Sequence, residues 1–265
     1  MSYSLWIAFS NQGRAWNLAK VGLFGAMVGS FLNVVAYRLP SRKSIVLPAS
    51  SCPNCGHPIR PWENIPVLSW VALRGHCSAC KGAISVRYPM VEAAAATLAM
   101  MAYLHFGWTA RMLEASVLLW VLLVLALIDW DTRLLPNRIT FPGIALGVAL
   151  GALGLWQPEW SLVALPNAII GAVCGYALIW VPDLLYDLVR HRRGFGIGDR
   201  KMLALIGAWV GPLAVFDAFA VAVLAGALLG GIWAALRRQS TSTAIPFGPF
   251  LALGGAVCIF FHPLI

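Results

Sequence analysis

The sequence predicts an all-α polytopic membrane protein of about eight transmembrane helices, with a polar loop domain inserted after the first. Three observations carry that prediction. Of 265 residues, 60% are hydrophobic and 11% charged, with a mean hydropathy of +0.78, whereas soluble domains carry roughly a quarter charged residues. Apolar runs near the length that crosses ~30 Å of hydrocarbon recur along the chain. Residues 38–87 form the only substantial polar stretch.

The first span is expected at 19–37. Its apolar run, Val21 to Ala36, leads into Tyr37, Arg38, Leu39 and Pro40 with no small-residue cleavage site, so it reads as a retained helix rather than a signal peptide. Residues 38–87 follow, with Cys52-Pro53-Asn54-Cys55 and Cys77-Ser78-Ala79-Cys80. A two-residue gap lets both thiolates of a pair reach one ion, and four soft sulfurs suit a structural Zn²⁺. The interval 56–76 slightly exceeds the usual zinc-ribbon spacing. Disulfides or redox-active thiols are the competing reading, opposed by a reducing cytoplasm and by a segment with little apolar core, which gains folding energy from a metal. His57 and His76 neighbour the pairs, but Cys52, Cys55, Cys77 and Cys80 already complete a shell.

The remaining spans are expected at 88–105, 112–128, 139–156, 161–181, 200–212, 214–236 and 246–262, with Gly211 and Pro212 separating two of them. Trp156, Trp160 and Trp180 fall near expected interfaces, and Cys174 and Cys258 read as small packing residues. With the cysteine loop in the cytoplasm, Arg133, Arg138, Arg190, Arg192, Arg193, Arg200, Lys201, Arg237 and Arg238 also lie inside. Arg14, Lys20 and Arg111 are left outside. This positive-inside asymmetry accounts for the net charge of +9 without nucleic acid, and it puts both termini in the periplasm of a Gram-negative cell. The domain reading is 1–37 for the N-terminus and first helix, 38–87 for the four-cysteine domain, and 88–265 for a transmembrane catalytic part.

Carboxylates number only ten, and one at a membrane boundary is a functional candidate. Asp129 and Asp131 follow the apolar run Val117 to Ile128; Asp199 ends Gly194-Phe195-Gly196-Ile197-Gly198-Asp199. Under this topology both places share the cytoplasmic face, so Asp129 and Asp199 can meet. Two neighbouring carboxyls tend to share one proton, which equips them to activate water and polarise a peptide carbonyl. Glycines before Asp199 allow close backbone approach; a phosphate-cradling loop lacks its strand context. Singly, Asp199 also suits a helix N-cap, and Asp129 with Asp131 suits pairing to Arg133. Asp183 and Asp187 read as an ion-paired surface beside Arg190, Arg192 and Arg193, and Asp217 belongs near the opposite face.

The ordered set Gly29-Ser30-Phe31-Leu32-Asn33-Val34-Val35, the four cysteines, Glu63-Asn64-Ile65-Pro66, Arg87-Tyr88-Pro89, both aspartate motifs and Ile245-Pro246-Phe247-Gly248-Pro249-Phe250 resembles the bacterial type IV prepilin peptidases, over almost the whole chain. The resemblance implies a Gly-x-Gly-Asp membrane aspartyl peptidase of the bacterial inner membrane. Such an enzyme cuts basic leaders from type IV prepilins or type II secretion pseudopilins on the cytoplasmic side. Its catalytic aspartates fall on Asp129 and Asp199; the sequence alone does not rank Asp131 below Asp129. The resemblance also implies N-methylation of the new terminus with S-adenosyl-L-methionine, for which no separate cofactor fingerprint is visible; Glu63 and Gly75 are guesses for that activity. Two departures stand out: Asn137 where an aspartate commonly follows Leu-Pro, and Arg200 where an apolar residue follows the second aspartate. A cation there is expected to favour the ionised form of its neighbour.

Overall fold

The computed structural model describes residues 3–190, 196–237 and 246–261. Arg192, Arg193, Gly194, Phe195, Arg238 and Ile245, which enter the expectations above, lie outside the described residues. Among the described residues the regular structure is helical, with no strand. Four helices are long and apolar enough to cross a membrane, over Gly13–Arg38, Ala110–Thr132, Leu165–Arg190 and Ile197–Leu229; Asn137–Leu153 and Gly248–Phe261 are apolar but shorter.

The chain divides into two compact units, Met1–Trp108 and Thr109–Ile265. In the first, α1 (Tyr3–Arg38) packs against α3 (Arg87–Phe106), and the short α2 (Leu68–Ala72) lies in the loop between them. Small residues let α1 and α3 approach closely: a Cβ on Gly29 would lie 2.7 Å from the Glu92 Cα, and Ala95, Ala99 and Ala102 are buried opposite. Asn33 reinforces the seam by donating to the Gly29 and Tyr88 carbonyls. Glu92, buried on α3, accepts from the Val67 N–H at 2.7 Å, securing a β-branched residue at φ 63 in the left-handed region.

In the second unit, α4 (Ala110–Thr132) starts on Thr109, whose hydroxyl accepts from the Met112 N–H, and stops where Arg133 turns left-handed at φ 54. Next come α5 (Asn137–Leu153), α6 (Leu165–Arg190), α7 (Ile197–Arg237) and α8 (Gly248–Phe261). The two spans expected around Gly211 and Pro212 meet within α7, at Gly211 with φ 85 and ψ 177. Helix α7 packs against α5, α6 and α8, and α4 packs against α8. Along the α6–α7 seam Gly171 faces Gly207 and Gly175 faces Leu203 so closely that a Cβ at any of the three glycines would strike backbone. That contact sets where the first turn of α7 sits.

Candidate active site

Asp129 occupies the last turn of α4 and is 4% exposed. Its Oδ2 accepts from the Gly248 N–H at 2.8 Å, at the start of α8. Only a glycine permits this: a Cβ on residue 248 would lie 2.6 Å from Oδ2 and 2.9 Å from both the Asp129 Cβ and Cγ. Asp199 lies in the first turn of α7, where its Oδ2 accepts from the Gly196 N–H at 3.2 Å. Gly198 lets this turn lie against Leu135, whose Cβ would be 2.9 Å from an added methyl. The Asp129 carboxyl is near enough to Asp199 for its charge to act on it. Asp131, two residues beyond Asp129, is exposed, a distinction the sequence does not make.

The residues after Asp199 face elsewhere. Arg200 pairs with Asp183 of α6, and the Lys201 Nζ donates to the Asn137 Oδ1 at 2.8 Å and lies over the Phe141 ring of α5. Two expectations are therefore corrected. Asp183 is buried at 2% exposure rather than part of an ion-paired surface, and the Arg200 cation is committed to Asp183 rather than to Asp199. The reason is the helical repeat: Ala168, Gly171, Gly175, Ile179 and Asp183 form the buried stripe of α6, so Asp183 points into the seam. Asp187 is exposed as expected. Asp217 lies beside Cys258, at the other end of α8 from Gly248.

The four loop cysteines converge: their sulfurs all lie within 4.8 Å of one another, a group able to hold a metal ion. All are free thiols, and the Cys52 and Cys80 sulfurs are 3.8 Å apart. The two pairs sit in matching turns. The Cys52 N–H donates to His57 O and the Gly56 N–H to Cys52 O; the Cys77 N–H donates to Gly82 O and the Lys81 N–H to Cys77 O. Backbone N–H groups of Cys55 and Asn54 aimed at the Cys52 sulfur pull its thiol down to about 7, and those of Cys80 and Ala79 lower Cys77. The first cysteine of each turn thus favours thiolate, the form that binds metal, while burial and the neighbouring sulfurs push Cys55 up to about 11. Neither histidine joins the cluster. His76 Nδ1 lies against the Arg74 carbonyl, and His57 Nε2 lies 3.4 Å from Glu63.

Glu63 and Gly75 have local structural explanations. The Arg60 N–H, the Ser78 hydroxyl and His57 all reach the Glu63 carboxylate and hold it below the usual range, which ties one cysteine turn to the other. Gly75 has φ 71, and a Cβ there would lie 2.8 Å from the Trp70 ring. The site also contains groups that sequence reasoning missed. The Gly248 N–H had a signal in the Pro-Phe-Gly-Pro motif; the Asp183–Arg200 pair had one in the four-residue spacing of the α6 stripe.

The chain matches two family models: the bacterial peptidase A24 N-terminal domain over residues 23–106, and the type IV leader peptidase family over residues 116–234. It is 42% identical over 278 residues to a prepilin leader peptidase/N-methyltransferase of Pseudomonas putida, covering 97% of this chain and 94% of that one. A protein of the same name from Pseudomonas aeruginosa is 41% identical, covering 89% and 88%, and one from Aeromonas salmonicida is 38% identical, covering 94% and 92%. No solved structure matches.

Proposed function

The chain belongs to the type IV leader peptidase family, and from that premise we propose that it is a membrane-embedded aspartyl endopeptidase. It removes the leader from type IV prepilins or type II secretion pseudopilins at the cytoplasmic face of the bacterial inner membrane. It then N-methylates the new terminal residue, with S-adenosyl-L-methionine as the methyl donor implied by the resemblance. The observation that carries the peptidase reading is the meeting of Asp129 and Asp199 from two candidate spans, each carboxylate held by a glycine N–H.

Two neighbouring carboxyls tend to share one proton. The ionised member takes a proton from water as the water oxygen bonds to the scissile carbonyl carbon, while the protonated member hydrogen-bonds to the carbonyl oxygen. When the tetrahedral species collapses, the C–N bond breaks. The leaving amine takes up the proton held by the first carboxyl. Missing side chains at Gly196 and Gly248 let the two carboxylates lie directly against backbone, and that at Gly198 admits Leu135.

Eight crossings correspond to α1, α3, α4, α5, α6, the two segments of α7 about Gly211, and α8. Arg133, Arg138, Arg190, Arg200 and Lys201 gather where α4 and α6 end and α5 and α7 begin, which supports a cytoplasmic position for the dyad. By function we divide the chain into residues 1–37, a cytoplasmic zinc-binding domain over 38–87, and the peptidase part over 88–265. Zn²⁺ is the ion we assign to Cys52, Cys55, Cys77 and Cys80. A Zn–S bond of about 2.3 Å makes a tetrahedral edge of about 3.8 Å, which the Cys52–Cys80 separation of 3.8 Å fits. With its shell closed by four sulfurs, the ion stabilises the loop fold and leaves no position for substrate.

The test is Asp129→Asn and Asp199→Asn, assayed by cleavage of a prepilin by the purified full-length protein. Either change abolishes leader removal while the protein still accumulates in the membrane; normal processing by either variant overturns the dyad. The mass of the mature pilin N-terminus reads methylation separately.

A further inference from the structure

We propose that Asp183 is a positioning residue for the dyad: by holding the Arg200 guanidinium against α6, it keeps that cation off Asp199. The inference rests on the peptidase reading and goes beyond it, because Asp183 contributes nothing to the water or the carbonyl.

The first turn of α7 is held from three sides by three consecutive side chains. Asp199 addresses Asp129 of α4 and accepts from Gly196; Arg200 addresses Asp183 of α6; Lys201 addresses Asn137 and Phe141 of α5. Among these ties only the Arg200–Asp183 pair is ionic, and its acidic member is 2% exposed. Below it in the same stripe, Gly175 and Gly171 bring α6 into backbone contact with Leu203 and Gly207, so the two helices have little freedom to slide apart. The Arg200 Nε is buried and has no acceptor among the described residues. Asp183 is therefore what retains the guanidinium. Arg200 is joined to Asp199 through a single peptide bond, so a released guanidinium has the Asp199 carboxylate within reach of its long side chain. An Arg–carboxylate pair would occupy oxygens that the reaction needs for water.

This separates positioning from simple support. If the pair only stabilised the fold, losing both members would be at least as harmful as losing one. If Asp183 restrains Arg200, removing the cation undoes the damage. The experiment measures cleavage of a purified prepilin by the full-length enzyme for wild type, Asp183→Asn, and Asp183→Asn combined with Arg200→Met, with Asp129→Asn beside them and unfolding midpoints on all four. The expected result is a 10- to 100-fold fall in kcat at unchanged KM for Asp183→Asn, the scale of a displaced catalytic group. The double variant returns to within about threefold of wild type, on the same reasoning. The midpoint of Asp183→Asn falls by roughly 5–10 °C, and the double variant recovers most of it.

Wild-type cleavage by Asp183→Asn, with Asp129→Asn inactive, overturns this inference and leaves the peptidase reading standing. A double variant no better than the single also overturns it. If Asp183→Asn does not accumulate, the double variant decides alone: near-wild-type cleavage supports restraint of Arg200, and an inactive, folded double variant refutes it. Full cleavage by Asp129→Asn overturns the dyad, and this inference falls with it.

Discussion

Gly248→Ala puts the geometry around Asp129 to its most direct test. The added Cβ would lie 2.6 Å from the Asp129 Oδ2, where 3.4 Å is ordinary contact, so the carboxylate oxygen must retreat by 0.8 Å (3.4 − 2.6). Rotating the carboxylate does not relieve the clash, because the same methyl would lie 2.9 Å from the Asp129 Cβ, which is fixed to the α4 backbone. At least 0.5 Å (3.4 − 2.9) of movement must come from α4 or α8. The Gly248 N–H, now 2.8 Å from Oδ2, moves with it.

A catalytic group displaced by about 1 Å costs on the order of 100-fold in rate, so leader cleavage should fall roughly 10- to 100-fold in kcat/KM. Overpacking by one methyl costs about 1–3 kcal/mol, a fall in the unfolding midpoint of roughly 2–12 °C for a unit of this size. Activity thus drops far more than the fraction of folded protein. The assay is steady-state cleavage of a purified prepilin, with thermal unfolding of the same preparation. Gly231→Ala on α7 is the control, since a Cβ there meets nothing within 4 Å among the described residues; it should cleave as wild type. Wild-type kcat/KM in Gly248→Ala would refute the contact or the importance of where Asp129 sits.

Asp131→Asn should keep cleavage within about threefold of wild type, because its carboxylate is exposed whereas that of Asp129 is buried; a loss as deep as that of Asp129→Asn would give Asp131 a catalytic role. Cys52→Ser or Cys77→Ser should cut bound metal from about one ion per chain to a small fraction, measured by elemental analysis, whereas Cys174→Ser leaves it unchanged; equal metal content in all three would remove the cluster as the site. Gly75→Ala places a methyl 2.8 Å from the Trp70 ring at φ 71. It should destabilise the loop by about 1–3 kcal/mol, read as faster metal loss to a chelator than in wild type.

The apolar helices were legible because burial in lipid demands long apolar runs, but their ends were not, because a helix can outlast its apolar run. Helix α6 continues through Asp183, Tyr186, Asp187 and Arg190, well past the expected end at 181. It also begins later than 161, since the preceding turn is held otherwise: the Leu162 N–H donates to the buried Glu114 at 2.7 Å, a tie between residues remote in sequence. The cysteine cluster was readable because each knuckle is local, two ligands on one turn. The partners of Glu63 were not legible, because His57 and Ser78 come from both knuckles and meet only after folding. Asp129 and Asp131 look equivalent in a motif, and only their positions around the end of α4 make one buried and the other exposed.

The same helical geometry explains why Asp199, Arg200 and Lys201 form one structural device despite having three destinations. Successive residues on an α-helix turn by about 100°, so adjacent side chains set out in different directions, here toward Asp129 of α4, Asp183 of α6 and Asn137 of α5. A carboxylate meant to meet another across a helical junction needs its helix fixed in rotation, because a turn about the axis carries the carboxyl sideways. Packing of small residues along Gly171, Gly175 and Gly207 fixes separation and crossing. It restrains rotation poorly, since glycine presents no side chain to lock. The Lys201 tie to Asn137 and Phe141, on another face of the turn, supplies that restraint. On this view the cation after the second aspartate is kept from intruding on the chemistry by Asp183, which holds it against α6.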